Sequence, residues 1–319
     1  MLKFSIFKNY DLKNKIIEFN LILFPIWIGC LYLSLGQIID NKELLFLAFL
    51  LLLGETHFAS TFCFFLDKTN HQWLKEKKIS MFFVPMALII IYLIIGINNL
   101  FAAVFIGSIF SAYHVTRQSI GISRLYGTQK HSFFELGIYF YSALFLFIGF
   151  LRFFYNDIIN NLNINIPLYS DNNNTIYIIL FISSIIFSLF NNKNYKKLFV
   201  TLTGCLIYSP YLFVENPYQA VIIGVGAHWC QYLGLNYKIY FKNTAIFRGN
   251  QMRFILAFII IYATVMALLG YKGQVQKNYL DYLILIPLTG QFFHYYADMF
   301  IWRFSDKHIR ENIGKKLFS

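Results

Sequence analysis

Long apolar runs separated by short polar segments that carry nearly all the charge make up this chain from end to end. The runs lack the strict alternation of half-buried strands, and most exceed a strand's usual length. At about 1.5 Å of rise per residue they are long enough, as helices, to cross roughly 30 Å of hydrocarbon. Ten such runs can be marked, with cores at 19–35, 45–66, 81–97, 101–122, 133–150, 176–190, 198–214, 221–237, 254–269 and 283–302. The pattern predicts an all-α, polytopic membrane protein of about ten transmembrane helices, organised as a single integral-membrane domain over residues 1–319.

Composition agrees, because 58% of residues are hydrophobic and only 13% charged, a balance that soluble domains do not show. Charge then sets orientation. Lys and Arg collect on the cytoplasmic side of a membrane protein. With ten spans starting inside, all 27 Lys and Arg residues except Lys42, Arg117, Arg152, Lys272 and Lys277 fall on one side. Both termini are therefore expected in the cytoplasm and the Asn-rich loop around Asn172 outside. The net charge of +12 follows from this orientation and from contact with anionic lipid, so no nucleic-acid partner is needed. The N-terminal stretch lacks the basic start, short apolar run and cleavage site of a secretory signal. Cys30, Cys63, Cys205 and Cys230 lie in apolar runs with no C-x-x-C pair, which suits buried small side chains better than disulfides.

The histidines separate by depth. His71, His131 and His308 lie among cytoplasmic lysines, whereas His57 ("GETHFAST"), His114 ("SAYHVTRQSIG"), His228 ("GVGAHWCQYLG") and His294 ("GQFFHYYADMFIW") lie inside runs two, four, eight and ten. Nine or ten residues separate each of these four from the next cytoplasmic charge. That places all four roughly 14 to 15 Å below the cytoplasmic surface. Membrane histidines usually serve as helix–helix hydrogen-bond partners, but four at one depth point to a shared site, because ionisable groups there are costly and mark cavities, proton paths or cofactors. The four are candidate metal ligands.

Neighbouring residues suggest further roles. Asp298 is one turn after His294 and displaced by about 40°, so it can share a face with it as ligand or base. Gln118 stands in the same relation to His114, and Tyr232 to His228. Gln118, Gln231, Tyr232 and Arg117 are candidate substrate-binding residues, Arg117 either as an anchor for a headgroup or as a counter-ion for Asp298. Glu55 is the other candidate base, but it lies about 200° round a regular helix from His57, which opposes joint binding of one ion unless the helix is irregular at Gly54. Imidazole and carboxylate without thiolate favour non-haem iron, ahead of other transition metals or haem.

The phrases "YHVTRQSIGI", "AHWCQYLGL" and "HYYADMFIWRFSD" resemble motifs of poorly characterised polytopic bacterial membrane proteins. The layout of histidines on several membrane helices is loosely similar to the Brp/Blh carotenoid-cleaving dioxygenases, in which histidines hold a non-haem iron. The P-H-G-x-x-D signature and an H-x-x-x-H pair are absent here, as are the H-x-x-H-H clusters of membrane desaturases. The resemblance implies a multi-pass protein of the bacterial inner membrane acting oxidatively on a lipid or isoprenoid, an apolar small molecule, with an electron donor as a further partner. A b-type cytochrome with axial histidines and a proton-coupled transporter are the alternatives.

The topology has a direct test. Cysteines introduced in the Lys75–Lys78 segment and beside Asn172 should label from opposite sides of the membrane. Labelling from one side would remove the common-depth argument.

Overall fold

The computed structural model describes residues 12–127, 132–162, 174–190, 194–241, 249–275 and 279–318, which form helices and turns with no strand among them. The principal helices are α1 (Lys15–Leu23), α2 (Trp27–Ile38), α3 (Lys42–Leu66), α4 (Ile79–Asn98), α5 (Leu100–Leu125), α6 (Phe133–Leu162), α7 (Asn174–Leu189), α8 (Tyr195–Leu206), α9 (Pro217–Asn236), α10 (Asn250–Val275) and α11 (Leu285–Ile301). Each of the ten predicted runs falls mainly on helical backbone. Among the described residues, five helices are long and apolar enough to cross a membrane: α3, α4, α5, the Phe133–Phe153 part of α6 and the Asn250–Lys272 part of α10. The count is six if α1 and α2 form one bent span. Several helices of this kind mark a multi-pass membrane protein. The run 198–214 outlasts its helix, since α8 stops at Leu206 and a 3-10 turn containing Pro210 follows. Asn172 and His131 lie outside the described residues.

By its contacts the chain divides into two compact units, each assembled from segments distant in sequence. One, unit 2, comprises Ile17–Phe46 and His114–Gln231. The predicted first run is broken in it, because α1 and α2 meet at 76° across Phe24, Pro25 and Ile26. Pro25 has no N–H to continue the ladder, and the last carbonyls of α1 must find other donors. Buried side chains supply them: Gln231 Nε2 donates to the Ile22 carbonyl at 2.9 Å, and Thr203 Oγ1 to that of Leu23 at 3.0 Å. Charge in this unit is paired in the same way. Glu18, only 1% exposed, accepts from Tyr126 at 2.6 Å and from Lys196 at 3.1 Å, and Arg124 pairs with Glu135. α8 packs against α6 and α7, and Gly224 lets α9 approach the carbonyl of Ile207 at a distance no Cβ would allow.

Unit 1 comprises Met1–Ile16, Leu47–Tyr113 and Tyr232–Ser319. α11 packs on α4 and α10, and α10 packs on the Leu50–Ser60 part of α3. Tyr92, Ala103, Leu285 and Phe292 form one apolar core, and the Tyr92 hydroxyl donates to the Ala103 carbonyl at 2.9 Å. The C-terminal segment docks on the polar stretch after α3. Lys316 pairs with Asp67 at 2.7 Å, and the Trp73 indole donates to Asp306 at 3.2 Å. The His308 ring stacks on Trp73 with centroids 5.7 Å apart. Asn70 uses its amide N–H on the Phe64 carbonyl, so its oxygen accepts from His308 Nε2–H at 2.9 Å, while Asn312 donates to Nδ1 at 3.0 Å. Both contacts suit a neutral imidazole.

This docking should depend on pH. Burial lowers the His308 pKa below 6.5, outweighing the carboxylates of Asp306, Asp67 and Glu76, while Lys316 adds to the lowering. Burial alone would raise Asp306, but Trp73, the backbone N–H groups of Ile309 and His308, and Lys77 together hold it below 3.8. A depressed folded pKa means that docking stability is fully present above the unfolded value and is lost as pH falls. A fluorine label on Ser305→Cys should therefore report release beginning below about pH 6.5, and His308→Gln should abolish that step. A flat response between pH 6.5 and 5 would show that His308 does not govern the docking.

Candidate functional site

The polar residues of α3, α9 and α11 that belong to unit 1 converge on one buried network. Its geometry begins with a break in α3. Residues Leu50–Glu55 form a π turn, which inserts extra backbone into the helix. The hydroxyl of Thr56 donates to the carbonyl of Leu51 at 2.8 Å and so satisfies a group the wider turn would strand. The irregularity falls at Gly54, where the regular-helix expectation set Glu55 against His57. Both residues contact the same helix: Glu55 accepts from Gln291 at 3.5 Å, and the His57 ring lies 4.4 Å from that of His294, at 76°. Both partners are on α11, three residues apart. Glu55 and Thr56 themselves keep α-helical torsions, so the π turn ends before it could rotate Glu55 relative to His57.

Around His294 the contacts close into a ring. Its Nδ1 lies 2.5 Å from Thr61 Oγ1; Thr61 Oγ1 lies 2.9 Å from the Tyr232 hydroxyl; Tyr232 donates to Asp298 Oδ1 at 2.9 Å. The other carboxylate oxygen, Oδ2, faces His294 Nε2 at 3.8 Å. All of these residues are buried, Asp298 the least so at 6% exposure. Proton counting assigns the tautomer. Tyr232 has one hydrogen and gives it to Asp298, so Thr61 must give its own to Tyr232, and the hydrogen between Thr61 and His294 must come from Nδ1. In a neutral imidazole Nε2 is then an acceptor, and it faces a carboxylate oxygen. Asp298 also has the Trp302 indole N–H as a hydrogen-bond partner, and the space between Nε2 and Oδ2 is one that a proton or a metal ion can bridge.

The surroundings hold the ring in place. The His57 ring also meets Tyr232 edge-on at 4.6 Å, and Trp302 packs on Tyr232 at 5.8 Å. Asn236, one turn after Tyr232, donates to Ser60 Oγ at 2.7 Å, and Ser60 donates in turn to the His57 carbonyl at 2.7 Å. Thr61, Ser60 and Asn236 were not candidates from sequence. The spacing that linked Asp298 to His294 would have found Thr61, which stands four residues after His57, and Asn236, four after Tyr232.

In unit 2 the other two candidate histidines form a second pair. The rings of His114 and His228 lie 5.1 Å apart at 89°, both buried. One turn along α5 from His114, the Gln118 amide is buried with neither its oxygen nor its nitrogen hydrogen-bonded among the described residues. Gln231 uses its N–H on the α1 break, and its oxygen has no such partner. Arg117 is exposed and donates to the Tyr139 hydroxyl at 2.8 Å. Within unit 1 His57 is in ring contact with His294, and within unit 2 His114 is in ring contact with His228.

Comparison with protein-family models, with curated proteins and with solved structures finds no match.

The ring predicts where loss of a hydroxyl is costly. Thr61→Val keeps the shape but strips two buried groups of their partner and should destabilise unit 1 by about 1–3 kcal/mol. Thr201→Val removes a buried hydroxyl that has no hydrogen-bond partner among the described residues and should be neutral or stabilising. Thermal unfolding in detergent compares the two; equal effects would deny the ring any special role.

Proposed function

We propose that the chain is an integral-membrane metalloprotein of the bacterial inner membrane, with about ten membrane-crossing helices and both termini cytoplasmic. Its metal centre is built on His294, Asp298 and His57. The observation that carries this reading is the approach of His294 Nε2 to Asp298 Oδ2 at 3.8 Å, with Nδ1 committed to Thr61. Metal–nitrogen and metal–oxygen bonds of about 2.0–2.2 Å put two ligands of one ion about 3.0 Å apart at 90° and about 3.4 Å apart at the tetrahedral angle, so closure by about 0.4–0.8 Å brings them onto one ion. The neighbours do what outer partners of a metal ligand do: Thr61 fixes the His294 tautomer, and Tyr232 holds the carboxylate. His114 and His228 form the corresponding imidazole pair of unit 2.

An imidazole–carboxylate set without thiolate favours non-haem iron. Bound here, such an ion supplies redox and Lewis-acid chemistry to an apolar substrate, a lipid or isoprenoid reached from the membrane, with an external electron donor. Glu55 is the candidate base. It is 1% exposed, with Oε1 turned to Gln291 and Oε2 lacking a hydrogen-bond partner among the described residues.

A second reading draws on the closure of the ring. Thr61, Tyr232, Asp298 and His294 could pass a proton around the ring with no metal, as in a proton-coupled transporter. Metal analysis of purified protein separates the readings. Bound transition metal is expected, and His294→Ala and His57→Ala should lose most of it, whereas His71→Ala keeps it. Asp298→Asn should bind at least about tenfold more weakly. Full occupancy in all four variants would end the metal reading, and wild-type protein without metal but with proton-coupled flux would establish the second.

A further inference from the structure

The segment after α11 presents a charged surface that unit 1 itself does not use. Its exposed residues are Arg303, Ser305, Lys307, Arg310, Glu311 and Lys315, so cations outnumber acids there four to one. Lys68 and Lys75, on the polar stretch against which the segment docks, are exposed as well. None of these cations pairs with a carboxylate among the described residues, whereas Lys316, Lys196 and Arg124 each do.

Contact with lipid does not account for this segment. A helix that lies on a bilayer keeps an apolar face for the hydrocarbon boundary. Lys77 and Lys78 fit that description, because the exposed Ile79, Phe82 and Phe83 come next in the chain. The C-terminal segment differs. Its Ile309 and Ile313 are 0% exposed and Leu317 is buried, all three turned to the protein, which leaves the cations on the outer side to meet a partner in water.

The surface also adjoins the buried network. Arg303 directly follows Trp302, whose indole packs on Phe304 at 6.3 Å and on Tyr232 at 5.8 Å, and Tyr232 meets the His294 ring at 5.1 Å. A short run of aromatic contacts therefore joins the foot of the charged segment to His294.

We propose that this surface docks an acidic, soluble one-electron carrier protein, whose electron passes by Trp302 and Tyr232 to the centre at His294. The carrier is oxidised by one electron and the centre reduced by one, with both aromatic side chains left unchanged. Opposite charge would steer the carrier to the segment and fix its orientation, with a strong dependence on salt. The proposal rests on the metal reading of that centre and names its partner.

The test uses the full chain in nanodiscs of phosphatidylcholine, which has no net charge, with an acidic plant-type ferredoxin and an acidic flavodoxin as probes. At least one should bind at low salt and be released as salt rises. Lys307→Glu, Arg310→Glu and Lys315→Glu together should weaken binding at least about tenfold, whereas Lys272→Glu, on the expected outer side, should not. Trp302→Leu should leave binding unchanged and slow reduction of the metal by the bound, reduced carrier; an unchanged rate would overturn the path. Absence of binding by both carriers, or equal binding by the triple variant, would overturn the docking surface, and a triple variant that lost only its affinity for phosphatidylglycerol would show a lipid contact instead. His294→Ala protein keeps the two readings apart: docking that persists without metal stands by itself, while a metal centre without docking leaves the partner wrong.

Discussion

In hydrocarbon a polar group has only the protein to bond with, and this constraint organises the chain. An unsatisfied N–H, carbonyl or hydroxyl costs several kcal/mol in an apolar medium. Buried polar residues here are accordingly concentrated where backbone or side chains need them. Thr203 and Gln231 answer the carbonyls released at Pro25, Thr56 answers the carbonyl released by the π turn, and Ser60 links Asn236 to the backbone of His57.

The same constraint makes the ring around His294 informative. Its members have few ways to arrange their hydrogens, and the arrangement that satisfies Thr61 and Tyr232 leaves two acceptors facing each other at His294 Nε2 and Asp298 Oδ2. A soluble protein would settle such a pair with water. In an apolar interior a proton or a bound cation can take its place, with the Trp302 indole as a further partner of Asp298, and this sets the point apart from the ion pairs of Glu18 and Glu135. Those two carboxylates are buried as well, but Lys196 and Arg124 already neutralise them.

Backbone irregularity contributes as much as side-chain identity. The π turn at Leu50–Glu55 runs directly into the stretch of α3 from which Glu55 and His57 contact α11. The bend at Pro25 likewise turns one apolar run into two helices at 76°. In both places the departure from regular helix is stabilised by a particular donor, Thr56 in one and the Thr203 and Gln231 pair in the other.

By itself the sequence determined that this is a helical, multi-pass membrane chain, because run length and hydropathy are local properties that hydrocarbon thickness converts directly into helices. It also singled out the buried histidines, Glu55 and Asp298, since ionisable residues inside such runs are rare enough to stand out, and the four-residue spacing correctly set Asp298 beside His294. The pairing of histidines was not legible. Matched depth says nothing about which helices adjoin, and only packing set His57 against His294 and His114 against His228. Thr61 and Asn236 were overlooked because hydroxyls and amides are tolerated in any membrane helix and acquire meaning only from the partner opposite. The π turn at Leu50–Glu55 was not legible either, because no hydropathy periodicity announces one.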